Sequence, residues 1–117
     1  MDINFKVPPT ATAIGGALKT LYTLDLEHLS KHPETPSLYK AGVRYQNGKT
    51  DWFSIPEVLE AGSGDCKDLA CWRVAELRKQ GIPATLGYSR KGKMWHVYVV
   101  LPNGTKEDPS RILGMGK

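Results

Sequence analysis

Residues 62–81 read GSGDCKDLACWRVAELRKQG: small turn-forming residues and an aspartate, then a cysteine opening a pattern of helical period. Cys66, Leu69, Ala70, Val74 and Leu77 make one apolar stripe, which predicts a helix over 65–80 that faces a core. Arg78 and Lys79 suit the negative end of its dipole, Gly81 stands where a left-handed C-cap residue is wanted, and Pro83 bars continuation. The two cysteines lie five positions apart, so on a helix their side chains diverge by roughly 140°. No disulfide between them is expected, and both are read as reduced thiols. Cys71 has the character of a small buried hydrophobe. Cys66 instead sits in the first turn, where unpaired backbone NH groups and the positive dipole end can bring a thiol pKa from about 8.5 down to roughly 3.5 to 7.5.

Downstream, 84–88 and 94–101 read as strands. In the second, Trp95, Val97, Val99 and Leu101 lie on one face and His96, Tyr98 and Val100 on the other. Residues 90–93 turn between them, and Pro102-Asn103-Gly104 turns into a third strand over 105–108. Upstream, 1–10 is expected to be extended, since Pro8 and Pro9 bar an early helix. A helix is predicted over 13–30, with Ile14, Leu18, Leu21, Tyr22 and Leu29 on one face, weakened at its start by Gly15-Gly16 and ended by His32-Pro33. Residues 33–42 read as loop. The alternation of Val43, Tyr45, Thr50 and Trp52 around Asn47-Gly48 predicts a hairpin. Ser54, Pro56 and Glu57 open a short helix over 54–61 with a capping box. The order is helix, short helix, central helix, then an antiparallel meander, an α+β fold over one domain, 1–117.

A nucleophile needs a base, and His96 with Asp108 are the candidates. Strand register decides whether they meet. A two-residue loop at Asn103-Gly104 would set Val99 opposite Asp108 and leave the carboxylate on the face away from His96. A three-residue loop, Pro102-Asn103-Gly104, sets Tyr98 opposite Asp108 instead. His96 and Asp108 then become diagonal neighbours on one face, roughly 7 to 8 Å apart at the backbone. Proline at the first central position and glycine at a positive-φ position favour the three-residue loop.

DWFSIPEVLEAGSGDCKDLA at 51–70, GIPA at 81–84, HVYVV at 96–100 and EDPS at 107–110 together resemble the transglutaminase-like cysteine protease superfamily, over residues 51–110. The resemblance implies a papain-like core, with the cysteine helix packed on an antiparallel β-meander. It also implies a triad of Cys66 as nucleophile, His96 as general base and Asp108 as the group that orients the imidazole. The oxyanion would be held by the Cys66 backbone NH and an upstream side chain, Trp52 first and Gln46 second. Lys67 departs from the acid that often follows the cysteine in such chains, and Tyr98 from the tryptophan two residues after the histidine. The implied activity is cleavage or acyl transfer at an amide or peptide bond. Compact chains of this type resemble those of bacteria and their phages, which suggests a peptidoglycan peptide or protein substrate, a partner protein that completes an open cleft, or a virion-associated role. The rival reading is a binding or assembly module, such as a phage tail-associated protein, that keeps the fold without turnover.

Other classes find less support. The formal charge of +4 is scattered, and only Arg90, Lys91 and Lys93 are dense, so nucleic-acid binding is not expected without a recognition module. The N-terminus has neither a basic start nor an uninterrupted apolar run, so no signal peptide or membrane span is read there and the chain is expected to be cytoplasmic where it is made. His28 and His32 are four apart with no third ligand, and no calcium-ligand cluster is present, so neither a metal nor a cofactor is expected. Trp95 is read as packing, Asp65 and Asp68 as helix-start stabilisers, and Asn103-Gly104-Thr105 as a turn.

Overall fold

A computed structural model describes residues 11–47, 51–91 and 94–115. The expected extended start at 1–10, the tip of the hairpin turn at 48–50 and part of the basic turn at 92–93 lie outside the described residues. The rest is an α+β arrangement with helices α1 (Ala11–Lys31), α2 (Ile55–Ala61), α3 (Cys66–Lys79) and α4 (Pro109–Ile112), and a 3-10 turn at Leu38–Lys40. Strands β3 (Thr85–Lys91), β4 (Met94–Val100) and β5 (Lys106–Glu107) form an antiparallel sheet in that order. Strands β1 (Arg44–Tyr45) and β2 (Ser63–Gly64) form a separate parallel pair.

The central helix is buried on more than the one stripe its sequence predicts. Cys71 and Val74 join Leu18 and Leu21 of α1 and Val97 and Val99 of β4 in one cluster, while Leu69, Trp72 and Ala75 join Ile55, Val58, Leu38 and Val43 in a second. Helix α3 therefore has α1 and the sheet on one side and the α2 layer on the other. Helix α1 is already formed at Ala11, the first described residue, two residues before the expected start at Ala13, and runs past Gly15-Gly16. Gly15 earns its place there by close approach, since a Cβ would lie 3.3 Å from the Tyr88 hydroxyl.

The predicted hairpin over 43–52 is corrected. Arg44 and Tyr45 pair in parallel with Ser63 and Gly64 instead, because Arg44 N and Gln46 N donate to the carbonyls of Gly62 and Gly64 at 3.1 and 2.9 Å. This bond pattern ties the 43–46 segment to the residues just before Cys66. The capping box of α2 forms as expected, with Glu57 Oε1 accepting from Ser54 N at 2.9 Å, and Gly62 at φ 73 ends the helix. Helix α4 adds to the expected elements: where the sequence pattern reads as the end of a strand, Asp108 acts as N-cap and Pro109 takes the first helical position.

Asp25 of α1 is fully buried, with Oδ1 accepting from Ile55 N at 2.9 Å and Oδ2 without a protein partner. Burial, with smaller contributions from Asp68 and Glu57, pushes its carboxyl well above the usual range. The native state therefore holds a proton that the unfolded chain releases near pH 4, so stability falls as pH rises above that point, at up to about 1.4 kcal/mol per pH unit for this group. Asp25→Asn keeps an acceptor for Ile55 N and stays neutral. Thermal melts should show the variant equal to or several degrees above wild type at pH 8 and not above it at pH 4; parallel pH dependences would contradict the assignment.

Candidate active site

Two fixed positions make the site: the first residue of α3 and the neighbourhood of His96 on β4. Asp65 caps the helix, accepting from Asp68 N at 3.3 Å, while Asp65 N donates back to Asp68 Oδ2 at 3.1 Å. The other oxygen of the buried Asp68 accepts from Phe53 N at 2.8 Å. Asp68 thus does more than stabilise a helix start, since it joins the 52–53 segment to the residue before Cys66. Burial and then Asp65 push its carboxyl up to about 7. Lys67 pairs with Asp65, lies 4.0 Å from Asp68 Oδ1, and sits over the Trp52 ring at 5.4 Å.

Cys66 itself meets β4. Its thiol donates to the Trp95 carbonyl at 3.6 Å. One residue on, His96 Nε2 and Asp108 Oδ2 lie 2.6 Å apart. The structure thus brings His96 to Asp108 and the Cys66 thiol to the backbone of the preceding residue. The thiol shares a cavity with Trp95 and Val97, on the β4 face opposite His96, and among the described residues its hydrogen bond goes to the backbone and not to the ring. With Nε2–H donating to Asp108, Nδ1 is the ring nitrogen with basic character. The register behind this pairing is the one the three-residue turn predicts. Val99 faces Glu107, so the next step sets Tyr98 opposite Asp108. Tyr98 occupies the face of His96, ring centroids 6.1 Å apart, and lies across Gly87, where any Cβ would run into its ring.

The expected acidic thiol is not found. Burial first, and then the charge of Asp65, push Cys66 up to about 11, and the Val97 backbone NH and Lys67 offset this only in part. The helix start places the sulfur but does not ionise it. Cys71 is fully buried, its thiol on the Leu18 carbonyl at 3.6 Å, which fits the packing role read for it.

Of the two oxyanion candidates, Trp52 is 5% exposed and shares with Cys66, Lys67, Trp95 and Val97 the wall of a cavity of about 210 Å³. Gln46 lies at the surface, its side-chain oxygen accepting from Ser63 Oγ at 2.7 Å. Trp95, read as packing, belongs to that cavity wall as well. Tyr45, whose alternation with Val43 marks it in the sequence only as a strand residue, also feels the site: burial first, and then the charges of Cys66, Asp65 and Asp108, raise its phenol. His28 and His32 stack at 4.7 Å, and among the described residues no group of three or more His, Cys, Asp or Glu side chains could hold a metal.

Iodoacetamide labelling with mass mapping checks the thiol. In the folded protein Cys66 should label and Cys71 should not. The rate at Cys66 should keep rising with pH beyond 9, since a pKa of about 11 leaves roughly one thiol in ten thousand ionised at pH 7. A plateau near pH 7 would contradict the burial argument. Comparisons with family models, with curated proteins and with solved structures return no match to this chain, so the reading of the site stands on its own geometry.

Proposed function

We propose that the chain is a thiol enzyme acting on amide or peptide bonds through Cys66, His96 and Asp108. The observation that carries the reading is the 2.6 Å His96–Asp108 hydrogen bond formed one residue from the backbone carbonyl that holds the Cys66 thiol. The resemblance to transglutaminase-like cysteine proteases supports the same roles.

A thiol near pKa 11 does not rest as a thiolate at neutral pH. The sulfur leaves the Trp95 carbonyl and passes its proton to His96 Nδ1 as its C–S bond to the substrate carbonyl forms, while Asp108 stabilises the imidazolium. The oxyanion is held by the Cys66 backbone NH and the Trp52 indole NH. Collapse breaks the C–N bond, the leaving amine takes the proton from the imidazolium, and a thioester to Cys66 remains. Water, or a second amine, then releases the acyl group with His96 again as base. The substrate class is a peptide or protein, peptidoglycan stem peptides among them, and the proposal includes a virion-associated setting.

The protonated thiol on a backbone carbonyl favours a second reading, a binding or assembly module that keeps the fold without turnover. Incubation with peptides and peptidoglycan fragments, followed by mass spectrometry of new termini or new amide links, separates the two. Wild type should yield product, Cys66→Ala none, and His96→Ala and Asp108→Asn a rate lower by about 10²- to 10⁴-fold. Equal product from wild type and Cys66→Ala would remove the enzyme reading.

A further inference from the structure

Asp108 reaches His96 from the end of a very short strand. β5 contributes only the pairs Val99–Glu107 and Val100–Lys106, which leaves the carboxylate's position underdetermined by the ladder itself. Glu107 supplies what the ladder lacks. Its Oε2 accepts from Tyr39 Oη at 2.5 Å and from Arg73 Nε at 2.6 Å. Arg73 also bonds Glu76 Oε1 at 3.2 Å and lies over the Tyr39 ring at 5.2 Å, and Glu76 Oε2 accepts from Leu38 N at 2.8 Å. Two elements, the 3-10 turn and α3, therefore converge on the β5 residue next to Asp108. The Tyr39 phenol is raised well above its usual range by burial and by Glu107, which keeps it a donor at any working pH.

Helical geometry gives this network a reference point. Arg73 follows Cys66 by seven residues, which returns the side chain to within about 20° of the same direction, roughly 10.5 Å along α3. The helix that carries the thiol at its start thus grips, two turns on, the strand that carries the carboxylate. We infer that Glu107, held by Arg73 and Tyr39, is a positioning residue that registers the His96–Asp108 pair against Cys66. Its functional meaning rests on the triad reading, but the pairing it sets can be measured without turnover.

Proton NMR reads the hydrogen-bonded His96 Nε2–H directly as a downfield, slowly exchanging signal. Wild type and Cys66→Ala should both show it, and Asp108→Ala should lack it. Glu107→Ala should lose it while its circular dichroism remains that of a folded chain, and Arg73→Lys, which keeps the charge and an ammonium donor group, should retain more of it than Arg73→Ala. The rate at which p-nitrophenyl acetate acylates Cys66 at pH 7, a step in which His96 takes the thiol proton, should fall by roughly 10²-fold in Glu107→Ala, which is what a misplacement of about 1 Å can cost. A folded Glu107→Ala with the wild-type signal and rate would reduce the network to a stability contact and overturn the inference. If Glu107→Ala does not fold, Tyr39→Phe decides, with a broadened or faster-exchanging signal expected and an unchanged one contradicting. Absence of turnover in an otherwise intact series would count against the enzyme and leave the positioning result standing.

Discussion

Gly104, at φ 86, closes the turn that follows β4, with Leu101 N donating to Thr105 O and Gly104 N to Leu101 O, each at 2.8 Å. That backbone geometry makes the loop three residues long, and the loop length sets the register of β5. Side chains alternate along a strand, so a slip of one residue would carry Asp108 to the opposite face of the sheet. The 2.6 Å His96–Asp108 bond, the start of α4 at Pro109 and the seat of Glu107 against Arg73 all depend on that single choice.

A second constraint opposes the first in chemical effect. Packing α3 between α1, the sheet and α2 puts Cys66 close to β4, and the same burial works against charge there. The helix dipole offers only a fraction of an elementary charge at the N-terminus, and Asp65, the side chain that caps that terminus, brings a negative charge beside the sulfur. Desolvation and Asp65 outweigh Lys67 and the nearby backbone donors, so the thiol rests protonated. Asp68 shows the same balance, a buried carboxyl near its neighbour, raised to about 7 while it holds two backbone NH groups. In the proposed enzyme, a site built this way would rely on His96 to take the proton as sulfur attacks, which makes the placement of His96 and Asp108 decisive for that proposal.

Local signals made much of this legible before any coordinates. Capping and apolar period marked α2 and α3, alternation marked β4, and Pro102 with Gly104 marked the turn that joins His96 to Asp108. Pairing between distant segments was harder to see. Arg44 and Tyr45 are too short a strand to announce a parallel partner, and the alternation through Trp52 suggested a hairpin instead. The bearing of Tyr45 on the site is hidden for the same reason, because only the tertiary fold exposes its phenol to the charges of Cys66, Asp65 and Asp108. The thiol's high pKa was invisible as well, since helix position is local whereas burial is a property of the packed whole.

The most direct test of the account is the stoichiometry of acylation by an activated ester. Mixing the protein with p-nitrophenyl acetate should release a rapid burst of about one equivalent of p-nitrophenolate per chain, the kinetic mark of an accumulating acyl-enzyme, with the acetyl group mapped to Cys66 and the burst strongly slowed in His96→Ala. A burst of the same rate and size in His96→Ala, or acetyl groups found on surface lysines with Cys66 unmodified, would contradict it.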